Sequence, residues 1–226
     1  MRPPHPFAPV RGNMMPDHRP PAGILGDAEL LLLGPEAQIM GMPHPAAPWT
    51  ADRVRALPDD GRRYETVAGE LLVTPAPGVF HQRAVGGLYF LLRHCLESDP
   101  AVEVLTAPAD IELDPLTLVQ PDLFLTRRIR GSTPRWSDAD LLLAIEVLSP
   151  STARFDRVTK RARYQREGIE YWVVDLDSRL VERWLPGEER PEMVTERLQW
   201  RSTISPGSCV LDLVAFFKGV LDPASE

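Results

Sequence analysis

Two carboxylates 24 positions apart interrupt segments that otherwise read as core strand: Asp122, in Gln120-Pro121-Asp122, and Glu146, in Ile145-Glu146-Val147-Leu148-Ser149-Pro150-Ser151-Thr152. Burying an ionised carboxylate in a sheet costs several kcal/mol unless a cation or hydrogen bonds compensate it, so two on neighbouring strands point to a bound metal. Asp122 follows a proline, which lacks a backbone donor and suits a strand start or edge. Glu146 ends the apolar run that begins at Leu141, and strand ends are where α/β sheets gather their sites. Oxygen ligands of this kind suit Mg2+ or Mn2+. The competing reading pairs each carboxylate with a nearby arginine or uses it to cap a loop.

Past Glu146, Asp156, Lys160 and Tyr164 recur at four-residue intervals and share one face of a helix whose N-terminus points back at the Glu146 strand end. Lys160 there reaches a phosphate oxygen or an attacking water and offsets charge that develops in a transition state. Its competing role is an exposed ion pair with Asp156, worth roughly 0.3 to 0.5 kcal/mol. Arg154, Arg157, Arg161, Arg163 and Arg166 spread around the same helix and offer cations to a phosphate backbone, as any solvated helix does. His81 is a candidate general base or orienting group, against the alternative of a histidine packed in a core. Glu70, Asp110 and Glu112 read as hairpin or strand surface residues.

The elements that must hold these groups follow from periodicity. Thr50 to Leu57 reads as a short capped helix, and Tyr64 to Val67 with Leu71 to Thr74 as a hairpin turning at Ala68-Gly69. His81, Val85, Leu88, Leu92 and Cys95 form the inward stripe of a helix from Val79 to Glu97. Strands are expected at Val102 to Leu113, Leu118 to Leu125 and Leu141 to Val147, the last buried on both faces. Ser149 to Thr152 then caps a helix running to about Arg166 and stopped by Gly168. Strands over Glu170 to Leu176, Leu180 to Leu185 and Met193 to Trp200 and a helix over Leu211 to Val220 complete an α/β fold, a mixed sheet flanked by helices.

Residues 1 to 48 hold eleven of the 24 prolines and read as a flexible tail, with one short helix at Asp27 to Met40; the rest, 49 to 226, is read as one domain. No apolar run approaches the ~20 residues of a membrane-spanning helix, and no signal pattern opens the chain, so membrane partners are excluded and a cytoplasmic place is expected. Cys95 and Cys209 support neither a disulfide framework nor a thiolate zinc site, and Cys95 reads as a core residue. The net charge of −7 argues against coating nucleic acid non-specifically, yet Arg127 to Arg166 carries ten basic against four acidic residues. Of 25 basic residues only Lys160 and Lys218 are lysines. The closing helix, with Phe216 and Phe217, either completes the core or makes a homodimer contact.

Tyr64-Glu65 with Gly69-Glu70-Leu71, Pro75-Ala76-Pro77 with His81-Gln82, Gln120-Pro121-Asp122, Ile145 to Thr152, Asp156, Lys160, Tyr164 and Gly168 to Trp172 together resemble the Uma2 family from about Trp49 to Trp184. The resemblance implies a restriction-endonuclease-like fold of the PD-(D/E)XK superfamily, in which an Asp and a Glu on adjacent strands bind Mg2+ and a Lys assists phosphodiester hydrolysis. Asp122 and Glu146 would then be the metal ligands. The superfamily lysine normally follows the Glu by two residues, where this chain has Leu148; in similar proteins it has moved to the next helix, here Lys160. Two further departures are Ala68 in place of the usual Asp, and Gly168-Ile169-Glu170-Tyr171, one residue short of the usual Gly-Val-Pro-Glu-Tyr. The expected activity is therefore a metal-dependent endonuclease acting on nucleic acid, DNA first. A non-catalytic nucleic-acid- or protein-binding module on the same fold is the alternative, and a purely structural domain the third reading.

Overall fold

Thr50 caps the first helix through its side chain, which accepts the Arg53 amide at 3.1 Å, and so begins α1 (Ala51–Arg55). The computed structural model describes residues 47–129, 136–137 and 140–222; the expected Asp27 to Met40 helix and all of the expected tail before Ala47 lie outside them. β1 (Arg63–Val67) and β2 (Glu70–Thr74) form the expected hairpin. Its two turn residues, Ala68 and Gly69, have φ of +52° and +83°, as a type I′ turn demands. At Gly69 a Cβ would also stand 2.7 Å from the Pro48 side chain. After Pro75-Ala76-Pro77, α2 (Val79–Cys95) buries Ala84, Leu88 and Leu92.

β3 (Val102–Thr106) and β4 (Ile111–Asp114) replace the single expected strand over Val102 to Leu113. β5 (Thr117–Val119) and β6 (Leu123–Arg127) likewise divide the expected Leu118 to Leu125 strand, because Pro121 cannot donate to a ladder and the chain changes sheet there. β7 (Trp136–Ser137) and β8 (Leu141–Val147) follow. The next helix is built from α3 (Ala153–Phe155), a π turn at Asp156–Lys160, and α4 (Arg161–Arg166). It lacks the expected side-chain cap: Thr152 is itself helical, and the Ser149 hydroxyl instead bonds the Ser151 and Thr152 hydroxyls at 3.0 Å each. β9 (Glu170–Asp175) and β10 (Leu180–Trp184) form the second hairpin. The expected Met193 to Trp200 strand is two, β11 (Glu192–Val194) and β12 (Arg197–Arg201), and the expected last helix opens as a strand, β13 (Ser208–Asp212), before α5 (Leu213–Leu221).

The result is a mixed α/β fold with more than one sheet. A five-stranded sheet runs β2-β1-β5-β4-β7, a six-stranded one β11-β10-β9-β8-β6-β3, and β12-β13 stand apart as a pair. The six-stranded sheet is mixed, since β8 and β9 are parallel and its other neighbours antiparallel. β8 is buried on both faces: Leu143, Ile145 and Val147 meet α2, α5 and the β12-β13 pair, whereas Ala144 meets Tyr164 of α4 and Tyr171. Phe216 and Phe217 of α5 lie in the first of these cores and close the chain's own interior.

Cys95 corrects the sequence reading. It is exposed at the end of α2 and paired in a disulfide with Cys209 of β13, 114 residues on. A pairing at that separation leaves no local spacing signal to read.

Candidate active site

Side chains on a strand alternate between faces, and the β6-β8 register sets Phe124 opposite Ala144 and Leu123 opposite Ile145. Asp122 and Glu146 thus share the Phe124 and Ala144 face, which the π turn and α4 cover. Asp122 occupies the bend just before β6, where Pro121 has ended the ladder. Its Oδ2 accepts the Val147 amide at 3.0 Å and His81 Nε2 at 3.0 Å, and its Oδ1 accepts Arg63 Nη1 at 2.8 Å. An ionised carboxylate only accepts, so His81 Nε2 is the protonated nitrogen and Nδ1, which has no partner, is the free acceptor.

Glu146 is held by Lys160, whose ammonium lies 2.9 Å from Oε1. The same ammonium is 2.9 Å from both oxygens of Glu65 and 3.6 Å from Asp156 Oδ1. All four side chains are buried, Lys160 to 3% exposure, which excludes the weak surface pair with Asp156. The π turn explains the reach. It adds one residue to the turn that carries Asp156 and Lys160 and turns both inward, where they join Tyr164 on the buried side. Asp122, Glu146, Asp156, Lys160, Arg63 and His81 line one cleft of about 80 Å³, walled by Thr74 to Gly78 and by Ser149, Ser151 and Thr152.

Burial raises the Asp122 pKa, but the His81 hydrogen bond, the Arg63 guanidinium and the Val147 amide outweigh it and hold this carboxyl well below its usual range. Glu146 goes the other way: burial raises it well above the ordinary value, Lys160 opposes, and Asp122, Asp156 and Glu65 add to the rise. Burial likewise pushes Asp156 up to about 6 against the pull of Lys160. Burial lowers Lys160, yet the surrounding carboxylates override it and raise its pKa well above that of a free lysine. Glu65, Asp122, Glu146 and Asp156 outnumber the fixed cations Arg63 and Lys160, and this crowding adds to burial in raising Glu146 and Asp156.

The four sequence-derived candidates, Asp122, Glu146, Lys160 and His81, therefore meet at one cleft, and Leu148 packs against the core instead. Arg63 and Asp156 line it with them, and Glu65 joins the cluster through Lys160. Glu65 was open to the same logic as Glu146: it shares strand parity with the core residue Val67, a carboxylate at an inward position. Glu70 is exposed, while Asp110 and Glu112 pair with Arg55. Three of the helix arginines serve the fold, since Arg157 binds Asp175 and Glu182, Arg163 binds Asp114 and Glu167, and Arg161 lies 4.6 Å over the Trp184 ring, while Arg154 and Arg166 are exposed.

Among the described residues no group of three or more His, Cys, Asp or Glu is arranged as a ready metal cage. The oxygens still suit a hard cation. Asp122 accepts three hydrogen bonds, which leaves one of roughly four lone-pair sites, Glu146 accepts from Lys160 at Oε1 alone, and buried Asp156 Oδ1 accepts none. Mg2+ in particular takes one or two carboxylates and keeps several waters.

Residues 51–210 match the model of the Uma2 family, described as "Putative restriction endonuclease". A crystal structure from Anabaena variabilis, of a "putative nuclease belonging to DUF820", superposes with a TM-score of 0.62 at 18% identity, over 77% of this chain and 100% of that one. That likeness carries the fold. Among curated proteins none matches the chain. With more than half its length under one family model, this chain belongs to the Uma2 family.

Proposed function

We propose that the chain is a nuclease, dependent on Mg2+ or Mn2+, that hydrolyses phosphodiester bonds of nucleic acid, with DNA as the first polymer to test. The observation that carries the reading is the charge balance of the cleft: four buried carboxylates face two fixed cations, a deficit that one divalent ion would fill. Restriction-endonuclease-like families generally use divalent metals, in keeping with it. Asp122 and Glu146 would hold the ion, with Asp156 Oδ1 as a further oxygen. When bound, the ion supplies Lewis-acid polarisation of the phosphoryl group and makes water more acidic.

The chain's own residues do the rest. Lys160 stays charged and gives two of its three N–H groups to Glu65 and Glu146, so a third remains for a phosphate oxygen where negative charge grows. His81 Nδ1 is the proton acceptor of the cleft, with its tautomer set by Asp122. Arg63 fixes the Asp122 carboxylate and lines the same cleft. On the side of a non-catalytic module stands the three-fold hydrogen bonding of Asp122 by its own chain. Cleavage of supercoiled plasmid, single-stranded DNA and RNA in Mg2+, Mn2+ or EDTA separates the two. Metal-dependent cleavage that Asp122→Asn abolishes supports the nuclease; strand binding with no turnover in either metal supports the module.

A further inference from the structure

α2 is an anomaly of charge. In a chain with 32 acidic residues its seventeen, Val79–Cys95, include none, while Arg83, Arg93 and two histidines lie on it. Phe80, Arg83, Gly87, Phe90 and His94 recur at spacings of three and four and so form one stripe. Both phenyl rings are exposed, Phe80 by 50% and Phe90 by 69%, where a soluble helix ordinarily carries polar groups. Arg83 lies 5.7 Å over the Phe80 ring, and His94 stacks on Phe90 at 6.2 Å. Between the rings, Gly87 opens a groove of about 430 Å³ shared with Ala215 and Gly219 of α5, another element without an acidic residue. A Cβ at Gly87 would crowd the Phe216 ring at 3.3 Å; Gly219 faces open space.

The stripe begins at the cleft, because His81 follows Phe80 and binds Asp122. Phe90 lies about 15 Å further along the axis, at 1.5 Å per residue. The cleft, at about 80 Å³, is far below the roughly 300 Å³ of a pocket that encloses a small molecule, so it does not take in a base. Bases of a strand whose phosphate enters it must lie outside. In a duplex the faces of the bases are stacked on one another and must be pried apart at a cost, whereas an unpaired base offers its face freely to a ring protruding from a helix.

We propose that this stripe is the docking track of an unpaired nucleic-acid strand, with bases stacked on Phe80 and Phe90 and phosphates met by Arg83 and Arg93. The proposal rests on the nuclease reading and gives that site its substrate class. The test is fluorescence anisotropy of the full chain in EDTA with a labelled oligo(dT) of about 20 nucleotides, the matching oligo(U), and a duplex of the same length. Tighter binding of either single strand than of duplex is expected, with a roughly ten-fold loss in Phe90→Ala for the strand alone. Metal-dependent hydrolysis of bis(p-nitrophenyl) phosphate, too small to touch Phe90, is expected to be unchanged in that variant. Duplex bound as tightly as single strand, or a Phe90→Ala protein with full strand affinity, overturns the track. So does sedimentation in which Phe90→Ala abolishes self-association but leaves strand affinity intact, which would assign the face to a second copy. A wild-type chain that binds strands through Phe90 but hydrolyses no diester in any metal overturns the nuclease reading and leaves the track standing.

Discussion

Glu146 is kept in a place that disfavours its charge, and that cost separates a ligand from a structural partner. A buried salt bridge that serves stability loses about 3 to 5 kcal/mol when one partner is removed. Glu146 instead sits in a cluster already overfull of carboxylates, so Glu146→Gln, which keeps shape and removes charge, is expected to raise the metal-free melting temperature while abolishing cleavage. A large fall in melting temperature would mark it as structural. Glu65 differs, because it accepts the Gln120 amide at 2.7 Å as well as Lys160. Glu65→Ala leaves a buried amide unsatisfied and is expected to cost about 1 to 3 kcal/mol, read as a lower urea midpoint at constant slope. Asp122, Glu146 and Lys160 were legible in the sequence because each breaks a pattern: a charge after a proline, a charge in an apolar run, a rare lysine. Arg63 breaks none, since it is one arginine among 23, and only its side-chain distance to Asp122 reveals it.

Among the elements, those with one uninterrupted period were readable: β8 was bounded to the residue, and the α2 start and the β1-β2 turn fell where expected. The failures share a cause. Apolar alternation continues across Gln120-Pro121 and from β13 into α5, so hydrophobicity gives no mark where the chain changes sheet or becomes helical. The π turn is equally silent, because a four-residue spacing of Asp156, Lys160 and Tyr164 fits an α-helix as well. The hairpin offers a test at this scale. Ala68 holds φ of +52°, which costs a residue with a Cβ roughly 1 to 2 kcal/mol and costs Asn less, so Ala68→Asn is expected to raise the urea midpoint with the slope unchanged. No rise would mean that the turn relaxes without strain.

For the molecule as a whole, the uneven charge reads differently once side chains are placed. Within the basic segment from Arg127 to Arg166, Arg157 and Arg163 are paired inside the fold with Asp175, Glu182, Asp114 and Glu167, while α2 carries no acidic residue at all. The disulfide between Cys95 and Cys209 ties the end of α2 to β13 across 114 residues of sequence. No helix among the described residues is long and apolar enough to cross a membrane. The cleft also sets a pH dependence. Burial pushes Asp156 up to about 6 in the fold against an ordinary 3.8, so between those values the folded chain holds more protons than the unfolded one and metal-free stability falls as pH rises. Asp122 is shifted downward, so its contribution is lost only as pH falls below the ordinary value. A divalent ion displaces the retained protons, and its stabilisation is expected to grow through the same window, seen as a larger Mn2+-induced rise in melting temperature at about pH 8 than at about pH 5. An equal rise at both would place the ion elsewhere.

The most direct measurement is calorimetric titration of Mn2+ into the wild-type chain and into folded Glu146→Gln at about pH 8. The cleft predicts saturable binding with proton release in the wild type and its loss in the variant. Equal binding by both proteins, or none by the wild type, would contradict a metal centre built on Asp122 and Glu146.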